Sequence, residues 1–248
     1  MMQVVLLGSG NLATHLATVF SVNESIDLVQ IYSRSIENAL HLENLAPITN
    51  TIDNLIEADV FVIAVSDSAI QEVSQKLSAK NGLVVHTSGA TCMEVINNDN
   101  CGVFYPLQSF TAGKDLTFEN IPICIEAKQK KSFLLLESLA KSISKKVYAM
   151  NSEQRKQLHI AAVFVNNFVN YMYQIGEEIC DANNVPFEVL LPIIKETAFK
   201  VSELTPKQSQ TGPAKRKDKK TLALHEKELN ESQRKIYRIL SEGISNNY

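Results

Sequence analysis

Along residues 1–150, short apolar runs alternate with longer stretches in which apolar positions recur at helical spacing. The short runs resemble strands buried in a parallel sheet, and the stretches between them are amphipathic. The pattern predicts strands at residues 3–7, 28–32, 60–65, 83–87, 103–105, 122–126 and 146–149, and helices at 11–21, 36–45, 69–79, 91–97 and 129–144. Strands that alternate with helices are typical of βαβ units. The fold class is therefore predicted to be α/β, with a doubly wound Rossmann domain on a parallel sheet.

Beyond residue 150 the strand pattern disappears. A long amphipathic run predicts a helix at 152–182, and the remaining pattern predicts a helix at 186–204, a polar loop at 205–217 and one or two helices at 218–244. Two domains follow: a Rossmann dinucleotide-binding domain at 1–150 and an all-helical substrate and dimerisation domain at 151–248. Apolar residues cover more of the first long helix than a short bundle could bury alone, which predicts a homodimer.

The first predicted strand runs directly into a glycine turn and a helix start. Gly8 permits a tight turn, Gly10 permits close approach of a pyrophosphate to the backbone, and Ala13 is small enough for close packing of helix on strand. The first N–H groups of a helix also favour a phosphate. The residues predicted to hold the dinucleotide here are Gly8, Ser9, Gly10, Asn11 and Leu12.

The second predicted strand ends in Ser33, Arg34 and Ser35, where the adenosine ribose of a dinucleotide lies in a Rossmann domain. An acidic residue there would accept hydrogen bonds from the ribose hydroxyls and repel a 2′-phosphate. Arg34 instead offers a planar cationic fork, and the two serines offer further donors. The triplet predicts NADP as the cofactor, and its alternative interpretation is a solvated helix start capped by Ser35.

Composition narrows the classes of function. The 248-residue chain is 45% hydrophobic with a formal net charge of −3, so no nucleic-acid partner is expected. Its four cysteines have no C-x-x-C pair and no zinc-like histidine spacing, which predicts free thiols in a reducing cytoplasm and no metal site. The apolar runs are too short to span a bilayer, and the first residues lack the features of a secretory signal. A cytoplasmic protein without a membrane partner is expected.

These motifs carry a family resemblance. The glycine turn, the triplet at 33–35 and the segment at 64–67 resemble the 6-phosphogluconate dehydrogenase-like superfamily, which includes pyrroline-5-carboxylate reductase. A narrower resemblance, to bacterial Rossmann proteins with a helical C-terminal domain of unknown function, lies in stretches at 86–89, 105–110, 159–162, 166–167 and 211–218. The resemblance implies an NADP oxidoreductase. Two positions depart from the family's pattern: Tyr105 stands where many relatives have His, and Lys217 where they have Gly.

Small polar residues follow the central predicted strands. In a doubly wound sheet the reactive end of the ligand lies beyond the carboxyl ends of the strands. Val65, Ser66 and Thr87 fall there and are predicted to contact the cofactor, while Ser88 is predicted to contact the nicotinamide or the substrate as a catalytic residue. Because serine at a strand end commonly caps the following turn, a purely structural role for Ser88 stays open.

The long helix after residue 150 carries the remaining candidates. His159 is predicted to act as the general acid, and Asn166 and Asn167, about two helical turns further on, to hold the substrate. The alternative for His159 is a buried structural contact. Arg216, in the loop at 211–218, either binds an anion over the cleft or belongs to a solvated basic run.

The predicted function is an NADP-dependent oxidoreductase that transfers hydride between NADP(H) and a small C=O or C=N substrate, bound at the interface of the two domains. Two alternatives stay open. One is a non-catalytic NADP-binding sensor or regulatory protein, which the lack of an obvious catalytic Lys or Tyr in the cleft loops favours. The other is a reductase that uses a different hydride carrier, such as a deazaflavin.

Overall fold

The computed structural model describes residues 1–248, which form two compact units, Met1–Asn166 and Asn167–Tyr248. The first unit includes residues 151–166, which the sequence analysis assigns to the second domain. The domain boundary at 150 stays a prediction.

One eight-stranded sheet forms the centre of the first unit. The strands are β1 Met2–Leu7, β2 Ile26–Tyr32, β3 Ile48–Thr49, β4 Val60–Ile63, β5 Leu83–His86, β6 Cys101–Pro106, β7 Ile123–Ala127 and β8 Val147–Ala149. They lie in the order β3-β2-β1-β4-β5-β6-β7-β8, so the chain reverses direction across the sheet between β1 and β4. This reversal opens a crevice at the carboxyl ends of β1 and β4, where ligands bind in open α/β sheets.

The sheet departs from the predicted parallel arrangement at one pair of strands. Strands β6 and β7 are antiparallel, whereas the other neighbouring strands are parallel. A parallel connection needs a crossover, usually a helix, but the segment between β6 and β7 contains only the 3-10 turn Phe118–Asn120. The chain therefore turns back beside β6. Strand β3 has only two residues and carries too little pattern to be predicted.

Helices cover both faces of the sheet. Helices α1 (Asn11–Ser21) and α3 (Lys130–Ile143) pack on the face that includes Val4, and α2 (Ile70–Lys76) packs on the face that includes Val5. Because successive strand residues point to opposite faces, β1 contributes to both cores. The predicted doubly wound Rossmann domain is confirmed. Only short 3-10 turns, Glu37–Leu42 and Met93–Val95, form where the sequence predicts the helices at 36–45 and 91–97.

The long predicted helix begins as α4 (Ser152–Ala162), where Asn151 and Gln154 form a capping box. It continues through a π-helical segment, Val163–Phe168, into α5 (Val169–Ala182). The π-helical segment spans the boundary between the two units.

The second unit is entirely helical, which confirms the helical C-terminal part. After α5 come α6 (Leu191–Glu203) and the short α7 (Pro206–Ser209), which lies within the predicted polar loop. The region at 218–244, where the sequence predicts one or two helices, contains two: α8 (Lys219–Glu228) and α9 (Glu231–Asn247). No helix of the chain is both long and apolar enough to cross a membrane.

Candidate functional site

The turn after β1 requires glycine at its first position. Gly8 has φ +137°, and a Cβ there would lie 2.1 Å from the carbonyl oxygen of Ala64. Its N–H donates to the carbonyl of Tyr32 at 2.8 Å, so this residue joins the ends of three neighbouring strands. Only a residue without a side chain allows β1 and β4 to end this close together.

Helix α1 presents an open amino end immediately after this turn. Gly10 stands at its N-cap, no side chain caps the helix, and its first turn contains no acidic residue. A Cβ on Gly10 would meet no atom within 4 Å. The unsatisfied N–H groups and the positive end of the helix dipole thus face space that the protein leaves open.

A cleft of about 730 Å³ lies over the turn. It brings together every residue predicted to contact the cofactor, from the segments that follow β1, β2, β4 and β5. The lining consists of Gly8, Ser9, Gly10, Asn11, Leu12, Tyr32, Ser33, Arg34, Ser35, Asn38, Ala64, Val65, Ser66, Ala69, Val73 and Thr87. The structure therefore places the predicted residues in one cleft, and their binding of a cofactor stays a prediction.

Arg34 is the exposed cation at the end of β2. Its neighbouring serines already have partners: the Ser33 hydroxyl donates to the carbonyl of Ser35 at 2.7 Å, and the Ser35 hydroxyl donates to Glu37 at 2.5 Å. The bond from Ser35 is the main reason that the pKa of Glu37 is lowered. A carboxylate thus lies close to the triplet at 33–35. The side chain of Arg34 is exposed, whereas both serine hydroxyls already form hydrogen bonds within the protein.

The side-chain amide of Asn11 forms a hydrogen bond within the protein. Its amide donates to the carbonyl of Phe110 at 3.1 Å, and His15, one helical turn later, lies 3.0 Å from the carbonyl of Thr111. Both contacts fix the loop after β6 against α1. The amide nitrogen of Asn11 thus bonds within the protein, whereas its backbone N–H, in the first turn of α1, has no acceptor within the helix.

The hydroxyl of Ser88 is used within its own turn. It accepts the N–H groups of Ala90 and Thr91 at 3.1 and 3.0 Å and lies 2.9 Å from the Thr91 hydroxyl. Ser88 is buried and does not line the cleft, whereas its neighbour Thr87 does. The geometry favours the structural alternative, and a catalytic role for Ser88 stays a prediction.

His86, at the end of β5, is a buried neutral imidazole. Its Nδ1 accepts the N–H of Ser88 at 3.1 Å, which places the ring hydrogen on Nε2, 3.2 Å from the carbonyl of Cys92. Burial, and secondarily the positive charge of Arg155, lowers the pKa of His86 to about 4. This histidine therefore supports the turn at 86–92, and because its ring is uncharged at neutral pH it is not a candidate general acid.

His159 forms a pair with Tyr105, which the sequence analysis did not propose as a site residue. The Tyr105 hydroxyl lies 3.0 Å from Nδ1 of His159, and the rings meet edge to face with centroids 6.0 Å apart. Burial raises the pKa of Tyr105 to about 12. The available signal was its position at the carboxyl end of β6, at the same edge of the sheet as Thr87. The partner itself lies 54 residues away, too far for a local pattern.

A buried ion pair attaches α4 to the sheet. Arg155, 1% exposed, donates to Glu126 of β7 at 2.5 Å and to the carbonyl of Thr91 at 2.6 Å. Ser152 donates to the same carboxylate through both its N–H and its hydroxyl, at 3.0 and 2.8 Å. Because His159 follows Arg155 by about one turn, this anchor also determines where His159 lies.

The other predicted residues lie outside this arrangement. Asn166 and Asn167 are exposed in the π-helical segment, one in each unit. The prediction that they share a helix face with His159 assumes α-helical spacing, which does not hold in a π-helical segment. Arg216 is exposed in the second unit, and Asp218 caps α8. Lys217, between them, has φ +55°, a conformation that favours glycine. No group of three or more His, Cys, Asp or Glu side chains could hold a metal ion.

The sheet order, the glycine turn and the cleft at the switch point define a Rossmann-type α/β protein with a helical C-terminal part. The family model described as "Domain of unknown function (DUF2520)" matches residues 121–244. A "putative NADP oxidoreductase" from Bacteroides fragilis is 38% identical, with a TM-score of 0.91 over 99% of this chain and 98% of that one. The chain belongs to the DUF2520 family, which confirms the predicted resemblance.

More distant solved structures share the fold. An imine reductase from Myxococcus stipitatus in complex with NADP+ is 13% identical, with a TM-score of 0.68 over 98% of this chain and 92% of that one. A pyrroline-5-carboxylate reductase from Coxiella burnetii is 17% identical, with a TM-score of 0.56 over 99% and 97% of the two chains. No curated protein sequence matches.

Proposed function

We propose that this protein is an NADP(H)-dependent oxidoreductase that reduces or oxidises a small C=O or C=N substrate. The observation that carries the proposal is the cleft at the switch point, which combines a glycine turn, an uncapped helix end and an exposed arginine beside the adenosine position. The bound cofactor would supply or accept the hydride, as nicotinamides do. The similarity to a protein described as an NADP oxidoreductase supports this interpretation.

The residues of the cleft fit the cofactor. The backbone N–H groups at the start of α1 would bind the pyrophosphate, and open space at the Cβ position of Gly10 is what close approach of a ligand requires. Arg34 would bind the 2′-phosphate, since its guanidinium is exposed while the neighbouring serine hydroxyls already bond within the protein. Val65, Ser66 and Thr87 would contact the nicotinamide half.

His159 is the proposed proton donor to the atom that becomes negative as hydride arrives. His159 is not part of the cleft lining, but its ring packs on Gly89, two residues beyond the cleft-lining Thr87, and this proximity supports the role. Asn166 and Asn167 are proposed to contact the small-molecule substrate, and Ser88 is proposed to shape its site through the turn that it caps.

A homodimer is also proposed, supported by the exposed apolar side chains of the second unit. Only Cys180 and Ala214 are buried there, while Val189, Ile193, Phe199 and Ile239 are more than half exposed. Burying each such side chain contributes about 1.5–3 kcal/mol, so a second copy of this unit is the expected cover. Sedimentation should give a dimer at micromolar concentration, and a monomer would count against the proposal.

Fluorescence titration tests the cofactor assignment. NADPH should bind more tightly than NADH, and Arg34→Ala should weaken NADPH binding by roughly 10- to 100-fold, the equivalent of about 1.5–3 kcal/mol for a hydrogen bond to a charged group. NADH affinity should stay unchanged. Arg238→Ala removes an exposed arginine of the second unit and serves as the matched control. Equal affinities of the wild-type protein for the two cofactors would refute the NADP assignment.

A second measurement tests catalysis itself. NADPH oxidation should be detectable with at least one member of a panel of keto acids and cyclic imines, and His159→Asn should reduce its rate by about 100-fold or more. Tight NADPH binding without turnover on any member of the panel would instead favour the non-catalytic sensor.

A further inference from the structure

Tyr105 and His159 pack tightly against each other and against Gly89. Tyr105 is 8% exposed at the carboxyl end of β6, and its hydroxyl lies 3.0 Å from Nδ1 of the half-buried His159. A Cβ on Gly89 would lie 2.7 Å from this Nδ1 and 2.7 Å from Cζ of Tyr105. The two rings therefore pack directly on the glycine backbone, two residues beyond the cleft-lining Thr87.

The direction of this hydrogen bond follows from the chemistry of its two groups. The phenol of Tyr105 is buried, and burial disfavours the phenolate. The protonated phenol can donate to an unprotonated Nδ1 or accept from Nδ1–H; because a phenol O–H is a stronger donor than its oxygen is an acceptor, the contact favours the neutral ring with Nδ1 unprotonated. In the neutral ring, Nδ1 is then the acceptor and Nε2 carries the hydrogen.

We infer that Tyr105 is a positioning residue of the proposed reaction, which holds His159 so that Nδ1 always faces the phenol and Nε2 is the nitrogen that exchanges a proton with the substrate. The inference rests on the proposed function for its chemical consequence. In the charged ring, Nδ1–H donates to the phenol oxygen. As the substrate carbon gains the hydride with both electrons, the heteroatom gains the Nε2 proton, and the ring is left neutral with its remaining hydrogen on Nδ1, bonded to the phenol oxygen. Uptake of a solvent proton at Nε2 then restores the charged ring.

No carboxylate forms a hydrogen bond with Nδ1 of His159; the hydroxyl of Tyr105 does. The charged groups that act on Tyr105 are Arg155 on α4, which is itself paired with Glu126, and Asp67 in the loop after β4. Cys124 lies opposite Tyr105 on β7. Tyr105 is the hydrogen-bond partner of Nδ1, so the tautomer of His159 depends on this one hydroxyl.

Nitrogen NMR of protein labelled at its five histidines tests the inference without substrate or cofactor. The His159 signals are assigned by their loss in His159→Gln. At a pH where the ring is neutral, wild-type His159 should show an unprotonated Nδ1 and a protonated Nε2. Tyr105→Phe should move both signals toward the average of the two tautomers, whereas Tyr148→Phe, an exposed tyrosine on β8, should leave them unchanged.

If Tyr105→Phe fails to fold, Gly89→Ala provides the second variant, because its Cβ must displace the same two rings. Wild-type His159 protonated on Nδ1, or signals that do not move in the folded variant, would overturn the inference. NADPH titration of the same samples separates the two proposals: failure to bind NADPH refutes the proposed function and leaves the tautomer result standing. Once a substrate is known, Tyr105→Phe should lower kcat by roughly tenfold or more at unchanged NADPH affinity.

Discussion

The two glycines of the turn should respond to alanine in opposite ways. At Gly8 an alanine Cβ would lie 2.1 Å from the carbonyl oxygen and 2.8 Å from the carbonyl carbon of Ala64, and the residue would have to adopt φ +137°. The backbone strain costs about 1–3 kcal/mol, and overpacking costs typically about 1–3 kcal/mol more. Gly8→Ala should therefore destabilise the first unit by about 2–6 kcal/mol.

Gly10 supplies the matched control for this prediction. Its φ of −77° suits alanine, and the added Cβ would meet no protein atom within 4 Å. Alanine is a poorer N-cap than glycine, so the cost should be at most about 1 kcal/mol. The methyl group would, however, occupy the space where a pyrophosphate is proposed to approach the backbone, so NADPH affinity should fall.

Circular dichroism melts and NADPH titrations of the two variants give the comparison. A loss of 2 kcal/mol lowers Tm by about 4 °C or more in a chain of this size, so Gly8→Ala should melt clearly below wild type and Gly10→Ala close to it. The reasoning fails if Gly8→Ala melts with wild type, or if Gly10→Ala binds NADPH as tightly as wild type does.

Two further predictions concern stability. Because the pKa of His86 falls from 6.5 to about 4 on folding, the unfolded chain binds more protons between these values. Stability should thus decline by roughly 3 kcal/mol as pH falls from 6.5 to 4; urea unfolding at several pH values should show a smaller decline in His86→Gln, and equal declines would contradict this account. Lys217→Gly should raise stability by up to about 1 kcal/mol because Lys217 adopts φ +55°; a lower Tm in a thermal melt would contradict it.

The elements that the sequence predicted well depend on local chemistry. Helix α1 begins and ends where the pattern places it, at Asn11 and Ser21, because the glycine turn and the apolar spacing lie within one short segment. The cofactor candidates likewise line one cleft, because the carboxyl ends of neighbouring parallel strands meet at the same edge of a sheet. Such features need only the order of residues along the chain.

Other features depended on which distant segments came together. The pairing of Tyr105 with His159, the closure of the Ser88 hydroxyl on its own turn and the antiparallel return of β7 are decided by neighbours in space. The sequence by itself determined the Rossmann fold and the position of the glycine turn, since strand and helix periodicity and the need for φ > 0 are properties of single segments. The tertiary structure alone decided which nitrogen of His159 is held by a partner, because a side chain's hydrogen bond depends on the packing of residues far apart in the chain.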